Sequence, residues 1–204
     1  MNFIYPFIIS FMLVFFSELG DKTQLLVLSF STKDKAKNIL LGVALGTFFS
    51  HGLAILFGSK LGSLENQSFI YYSKILTYAS FLLFGIIGFI PKKHKNNDTE
   101  NEKSNSLLHK ITNIKINYIF IIAISIIIGE LGDKTFLASL GLGLEYPNYK
   151  LSLICGSISG MILSNSIALF FGKLIGNKLD SNIIEFISNC IFIIFGVIGF
   201  FRMI

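Results

Sequence analysis

Six residues, Glu18-Leu19-Gly20-Asp21-Lys22-Thr23, recur letter for letter as Glu130-Leu131-Gly132-Asp133-Lys134-Thr135. Each copy lies inside a long apolar run. A charged side chain at bilayer depth costs about 2.5–3.5 kcal/mol even on the lenient insertion scale. Two carboxylates and a lysine placed there twice therefore demand a compensating use. Carboxylate oxygens suit hard divalent cations such as Ca2+, Mg2+ and Mn2+. On an unbroken helix Glu18, Asp21 and Lys22 share one face, and so do Glu130, Asp133 and Lys134. If the two faces meet, four carboxylates converge; two lysines reduce their charge to minus two, and one divalent cation neutralises the rest. Glu18, Asp21, Glu130 and Asp133 are thus the expected metal ligands. Thr23, Thr135, Ser17, Gln24 and backbone carbonyls loosened at Gly20 and Gly132 can complete an oxygen shell. The two glycines also permit a local break in each helix. Lys22 and Lys134 read either as counter-ions or as side chains snorkelling toward an interface.

Protons and a cation competing for one carboxylate cluster form the simplest coupling device, so cation/proton antiport is the favoured chemistry. The opposing reading makes Glu18 and Lys22 a buried ion pair that only fixes helix packing. Such a pair is a poor stabiliser compared with apolar packing, and two of them at matching positions weaken that reading. His51, with Ser50 beside it, and the matching Asn165, with Ser164 beside it, lie in the second apolar run of each half. His51 is read as a helix–helix hydrogen-bonding group or, alternatively, as a ligand. As a ligand it favours a transition metal such as Mn2+ over Ca2+.

The chain that positions these residues has 204 residues, 52% hydrophobic and only 14% charged, against about 25% charged in soluble domains. It reads as an all-α integral membrane protein. At about 20 residues per span, the apolar runs are six: Phe3–Phe30, Ile39–Gly58, Phe69–Ile90, Tyr118–Leu142, Leu151–Phe171 and Ile183–Phe201. The first has no basic leader and carries the charged motif, so it is expected to stay as a membrane helix. Further matches align the halves: Gly42-Val43-Ala44-Leu45-Gly46 with Gly156-Ser157-Ile158-Ser159-Gly160, and Phe84-Gly85-Ile86-Ile87-Gly88-Phe89 with Phe195-Gly196-Val197-Ile198-Gly199-Phe200. Residues 1–91 and 118–204 therefore read as two three-helix repeats, joined by a polar linker at 92–117. An odd number of spans per repeat inverts the second copy, a plan shared by many secondary transporters with a midplane site.

Lys33, Lys35, Lys37, six lysines of the linker, Lys173 and Lys178 fall on one side, and Lys60, Lys74, Lys150 and Arg202 on the other. The richer side is expected to be cytoplasmic, which puts the linker inside and both termini outside. The net charge of +5 is assigned to topology and lipid headgroups, and no nucleic-acid partner is expected. Glycines four residues apart, at 42/46, 58/62, 156/160 and 172/176, serve close packing within one chain or, alternatively, a homodimer interface. Cys155 and Cys190 show neither metal-type nor disulfide-framework spacing.

Twin Glu-x-Gly-Asp-Lys/Arg-Ser/Thr motifs in a two-times-three-helix chain resemble the Gdt-type membrane family of manganese and calcium exchangers. The resemblance covers essentially the whole chain and both motifs match without departure. It implies transport of Mn2+ or Ca2+, coupled to H+, with Glu18, Asp21, Glu130 and Asp133 coordinating the ion and no bound cofactor. The short chain resembles the bacterial branch, which implies manganese export across the inner membrane. Two rivals stand beside it. One is export of another cationic solute, such as a basic amino acid. The other is an intramembrane aspartyl protease with Asp21 and Asp133 as its dyad, which leaves both glutamates and both lysines without a use.

Overall fold

The computed structural model describes residues 3–19, 21–31, 33–64, 66–89, 118–175 and 181–203, which are helical with no strand among them. The linker at 92–117 and Gly20 lie outside the described residues. The first apolar run forms α1 (Ile4–Glu18) and α2 (Lys22–Phe30), followed by α3 (Ala36–Gly62) and α4 (Gln67–Gly88). After the linker come α5 (Tyr118–Glu130) and α6 (Lys134–Glu145), a single 3-10 turn at Pro147–Tyr149, α7 (Lys150–Ile175) and α8 (Ser181–Phe201). The runs Phe3–Phe30 and Tyr118–Leu142 are therefore not single helices; each is interrupted inside the repeated motif.

Among the described residues three helices are long and apolar enough to cross a bilayer, Ala36–Gly62, Gln67–Gly88 and Pro147–Phe170. Three shorter apolar helices are Ile4–Glu18, Tyr118–Glu130 and Phe186–Phe201. At 1.5 Å per residue α1 covers only ~22 Å, less than the ~30 Å hydrocarbon core. Adding α2 beyond the break brings the pair to ~36 Å.

The two halves interleave. α3 packs on α5, α6 and α7, while α7 packs on α1, α2 and α3; α4 packs on α8 and on α6. Glycine determines how near these helices come. A Cβ at Gly42 would stand 2.8 Å from the Ile119 carbonyl oxygen, and one at Gly46 would stand 2.8 Å from Ile126 Cβ, both on α5. The matching Gly156 and Gly160 lie equally tight on α1, where a Cβ would stand 2.5 Å from the Phe7 carbonyl oxygen and 2.7 Å from that of Phe11. A Cβ at Gly58 or Gly62 would strike the carbonyls of Leu140 and Leu144 on α6. These spaced glycines are used within the chain, as small residues are where lipid offers no hydrophobic drive between helices. Gly176, and the surroundings of Gly172, lie outside the described residues.

Ser10 Oγ reinforces the α1–α7 contact through the Leu153 carbonyl at 2.8 Å and Ser157 Oγ at 2.7 Å. Leu13, Val14, Ile39, Ile55, Ile122 and Leu153 are fully buried between the halves. Large apolar side chains such as Leu53, Phe57, Ile128 and Phe201 point outward, as a lipid-facing surface requires. At one end Arg202 donates to the Tyr146 hydroxyl at 2.6 Å and to the Tyr5 hydroxyl at 2.7 Å, tying the last helix to the first. Beside them Lys74 and Glu145 form an ion pair at 3.0 Å.

Candidate functional site

Both motifs interrupt their helix in the same way. α1 ends on Glu18 and α5 on Glu130; α2 and α6 begin four residues later. Leu19 leaves the helix in an extended conformation, with φ −64° and ψ 118°. In the second motif Gly132 takes φ +82°, a left-handed value that costs a residue with a Cβ about 1–2 kcal/mol. Asp21 and Asp133 then sit as matching N-caps, both extended with ψ 166°. Aspartate normally caps through its own carboxylate. Neither side chain makes a capping hydrogen bond here.

The break overturns the expectation that Glu18, Asp21 and Lys22 ride one helical face. Glu18 closes one helix and Asp21 precedes the next, and what brings them together is the turn, not the 3.6-residue period. Glu18, Asp21 and Asp133 each present an oxygen, and these oxygens all lie within 4.8 Å of one another. Glu18 is fully buried, and its Oε1 has no hydrogen-bond partner among the described residues. Thr23 Oγ1 donates to its other oxygen at 3.1 Å. Thr135 does the same for the second motif, donating to Glu130 Oε2 at 3.2 Å and to Asp133 Oδ2 at 3.4 Å.

Glu130 is equally buried but is not one of the three. Its Oε2 lies 3.6 Å from His51 Nε2, the imidazole being fully buried on α3. His51 Nδ1 is 2.7 Å from Ser139 Oγ on α6. The four expected ligands are therefore brought together: Thr135 Oγ1 links Glu130 to Asp133 of the three-carboxylate group, and His51 lies beside Glu130. The arrangement is less symmetric than the matching motifs suggest.

The remaining expected residues have definite places. Gln24 donates to Ser164 Oγ at 2.7 Å and to the Ser164 carbonyl at 3.2 Å, so it ties α2 to α7. Asn165 donates to the Met161 carbonyl of its own helix at 3.0 Å, and its buried Oδ1 has no hydrogen-bond partner among the described residues. Ser17 Oγ is in the same condition. Ser50 Oγ turns back to the Thr47 carbonyl at 3.5 Å. Lys134 makes no ion pair among the described residues; its ammonium lies 5.8 Å from the centre of the buried Phe192 ring on α8. Lys134 opens α6 after the break, so it does not share a helical face with Glu130. The Lys22 side chain lies outside the described residues. Ser139 carries no signal in the sequence beyond its spacing. It follows Thr135 by four residues, and that spacing puts both hydroxyls on one face of α6.

Chemically, this is an oxygen-rich cluster of concentrated negative charge with one imidazole at its edge. Two carboxylates 4.8 Å apart repel by ~3.5 kcal/mol at an effective dielectric of 20, so the charge must be balanced by a cation or by protons. Hydroxyl donors on both glutamates fix the carboxylates in place, as outer partners of metal ligands do.

Comparison with known proteins fits this geometry. A family model for the "Divalent cation/proton antiporter GDT1" matches residues 6–96 and 118–203. The chain is 28% identical over 188 residues to a Vibrio cholerae protein named "Putative manganese exporter", covering 91% of this chain and 86% of that one. It is 22% identical over 213 residues to the chloroplastic protein PAM71 of Arabidopsis thaliana, and 24% identical over 213 residues to the chloroplastic GDT1-like protein 1 of Oryza sativa subsp. japonica. These alignments take in 93% of this chain in both cases, and the chain spans only 55% and 60% of those two plant proteins. No solved structure matches. The match over both halves places the chain in the GDT1 family of divalent cation/proton antiporters.

Proposed function

We propose that this chain exports Mn2+, with Ca2+ as the second candidate ion, in exchange for protons. The observation that carries the reading is the approach of Glu18, Asp21 and Asp133, drawn from both motifs, to within 4.8 Å in the gap between half-helices. A hard divalent cation is the charge that such a set of oxygens holds best. The name of the Vibrio relative favours manganese as cargo. In the cycle we propose, protons entering from outside occupy the carboxylates and displace the cation outward. Their release to the cytoplasm readies the site again. Membership of an antiporter family agrees with the expectation that the chain is not an enzyme.

The same reading includes six spans arranged as two inverted repeats, counting each broken pair as one span. The matching breaks and the matching glycine contacts on α5 and α1 support it. Broken helices facing each other at mid-membrane are a recurrent way to place an ion site. The bacterial inner membrane, with the linker in the cytoplasm and both termini outside, completes the proposal. A cysteine placed at Asn97 should react only from the cytoplasmic side and one at Asn2 only from outside. Labelling of both from one side rules out an odd number of spans between them.

The transport test is a proteoliposome loaded with a pH dye. An inward Mn2+ gradient should drive protons out, and an imposed pH gradient should drive Mn2+ uphill. Mn2+ movement without proton movement, or none of either with correctly inserted protein, removes the antiport assignment.

A further inference from the structure

The asymmetry of the site lies in one residue. His51 on α3 and Asn165 on α7 occupy matching positions of the two halves, yet one offers nitrogen and the other oxygen. The Oδ1 of Asn165 is buried without a hydrogen-bond partner among the described residues. His51 has no exposure, and its Nδ1 is engaged by Ser139 Oγ at 2.7 Å. Its Nε2 makes no hydrogen bond among the described residues and faces Glu130 Oε2 at 3.6 Å. That separation is too long for a hydrogen bond. It is the separation of two donors each ~2.2 Å from one ion and subtending about 110° there. A ligating histidine characteristically uses its other ring nitrogen to bond an orienting partner, which fixes tautomer and ring plane. Ser139 fills that place. The matching position in the first half is Val27, so the device exists on one side only.

We infer that His51 Nε2 is a nitrogen ligand for the transported cation and that it selects a first-row transition ion over Ca2+ and Mg2+. The inference rests on the metal-transport reading above. Ca2+ and Mg2+ take oxygen ligands, whereas imidazole suits transition ions; Mn2+ is a transition ion that also accepts carboxylate. The carboxylates supply the charge and the imidazole supplies the discrimination. Ser139 is a positioning residue, because it acts only through the ring.

The decisive variant is His51→Asn, which gives α3 the side chain that α7 already has. Mn2+ and Ca2+ binding would be measured on the purified full chain in detergent. Nitrogen coupling to bound Mn2+ would be read by pulsed electron paramagnetic resonance. The wild type should show imidazole nitrogen coupling. His51→Asn should lose that coupling and bind Mn2+ about tenfold or more weakly, with Ca2+ affinity changed less than about threefold. Ser139→Ala should weaken Mn2+ by a smaller factor and keep the coupling. A hydrogen-bonding role that merely holds α3 to α6 would weaken both ions equally, and that result overturns the inference. Absence of nitrogen coupling in a wild type that binds Mn2+ overturns it too, and needs no variant to fold. A wild type that binds neither ion sinks the metal reading itself and this inference with it.

Discussion

Glu18→Gln is the sharpest perturbation of the carboxylate cluster, because it keeps shape and removes one charge. An ion at the centre of a triangle with 4.8 Å sides sits ~2.8 Å from each oxygen. At an effective dielectric of 20 a divalent cation gains ~12 kcal/mol from one carboxylate at that distance. The two repulsions of ~3.5 kcal/mol each that its removal relieves act with and without the metal, so they do not offset this loss. At 1.4 kcal/mol per factor of ten this is more than about a thousandfold in Kd. The metal-free protein should be no less stable than wild type, because a fully buried charge whose Oε1 has no hydrogen-bond partner among the described residues has been neutralised. Thr23 can still donate to the amide oxygen.

The assay is thermal unfolding in detergent with and without Mn2+. At a concentration of 100 times the wild-type Kd the metal stabilises wild type by ~2.7 kcal/mol, or about 5–10 °C for a chain of this size. At that same concentration the variant gains less than ~0.1 kcal/mol. Asp34→Asn, on the loop before α3, should behave as wild type. If Glu18→Gln keeps half or more of the wild-type shift, the carboxylate cluster is not the cation site. The charged motif would then be a packing device.

Thr23→Val removes the hydroxyl that holds Glu18 Oε2 and should weaken Mn2+ binding about tenfold, with Thr23→Ser near wild type; titration calorimetry reads both. Gly46→Ala drives a methyl against Ile126 and the Ala123 carbonyl and should lower stability by about 1–3 kcal/mol, whereas Gly52→Ala, with its nearest neighbour at 3.8 Å, should be neutral or gain up to about 1 kcal/mol. Gly132→Ala meets nothing within 4 Å, so only backbone strain remains, and thermal unfolding should show a loss of about 1–2 kcal/mol and no more.

The repeated motif makes the doubling of the chain and the choice of carboxylates legible without a structure. The charge logic also makes a hard cation the natural partner. The break between Glu18 and Lys22 is less legible, because Gly20 and Gly132 permit an interruption without requiring one. Helical spacing therefore suggests a shared face that the backbone does not provide. The pairing of Glu130 with His51 is a tertiary fact. It depends on α3 bringing His51 against α5 and α6, and no local pattern encodes that approach. Ser139 shows the same limit: its spacing from Thr135 marks a polar face, but its partnership with His51 appears only when α3 and α6 pack. Lys134 reads from its neighbours in sequence as a counter-ion or as a side chain snorkelling toward an interface, and the structure sets its ammonium near the Phe192 ring.

The interleaving of the two halves has a consequence for how the protein is made. A ribosome delivers α1 to α4 before α5 to α8 exist. The groove at Gly42 and Gly46 then has no α5 to fill it, and α1 has no α7 to close on Gly156 and Gly160. Glu18 and Asp21 likewise reach the bilayer ahead of Asp133. The first half is therefore an unfinished surface during synthesis, stable only once its sequel arrives. Two fragments cut at the linker should therefore be unstable when produced singly and recover metal-dependent thermal stabilisation only when produced together.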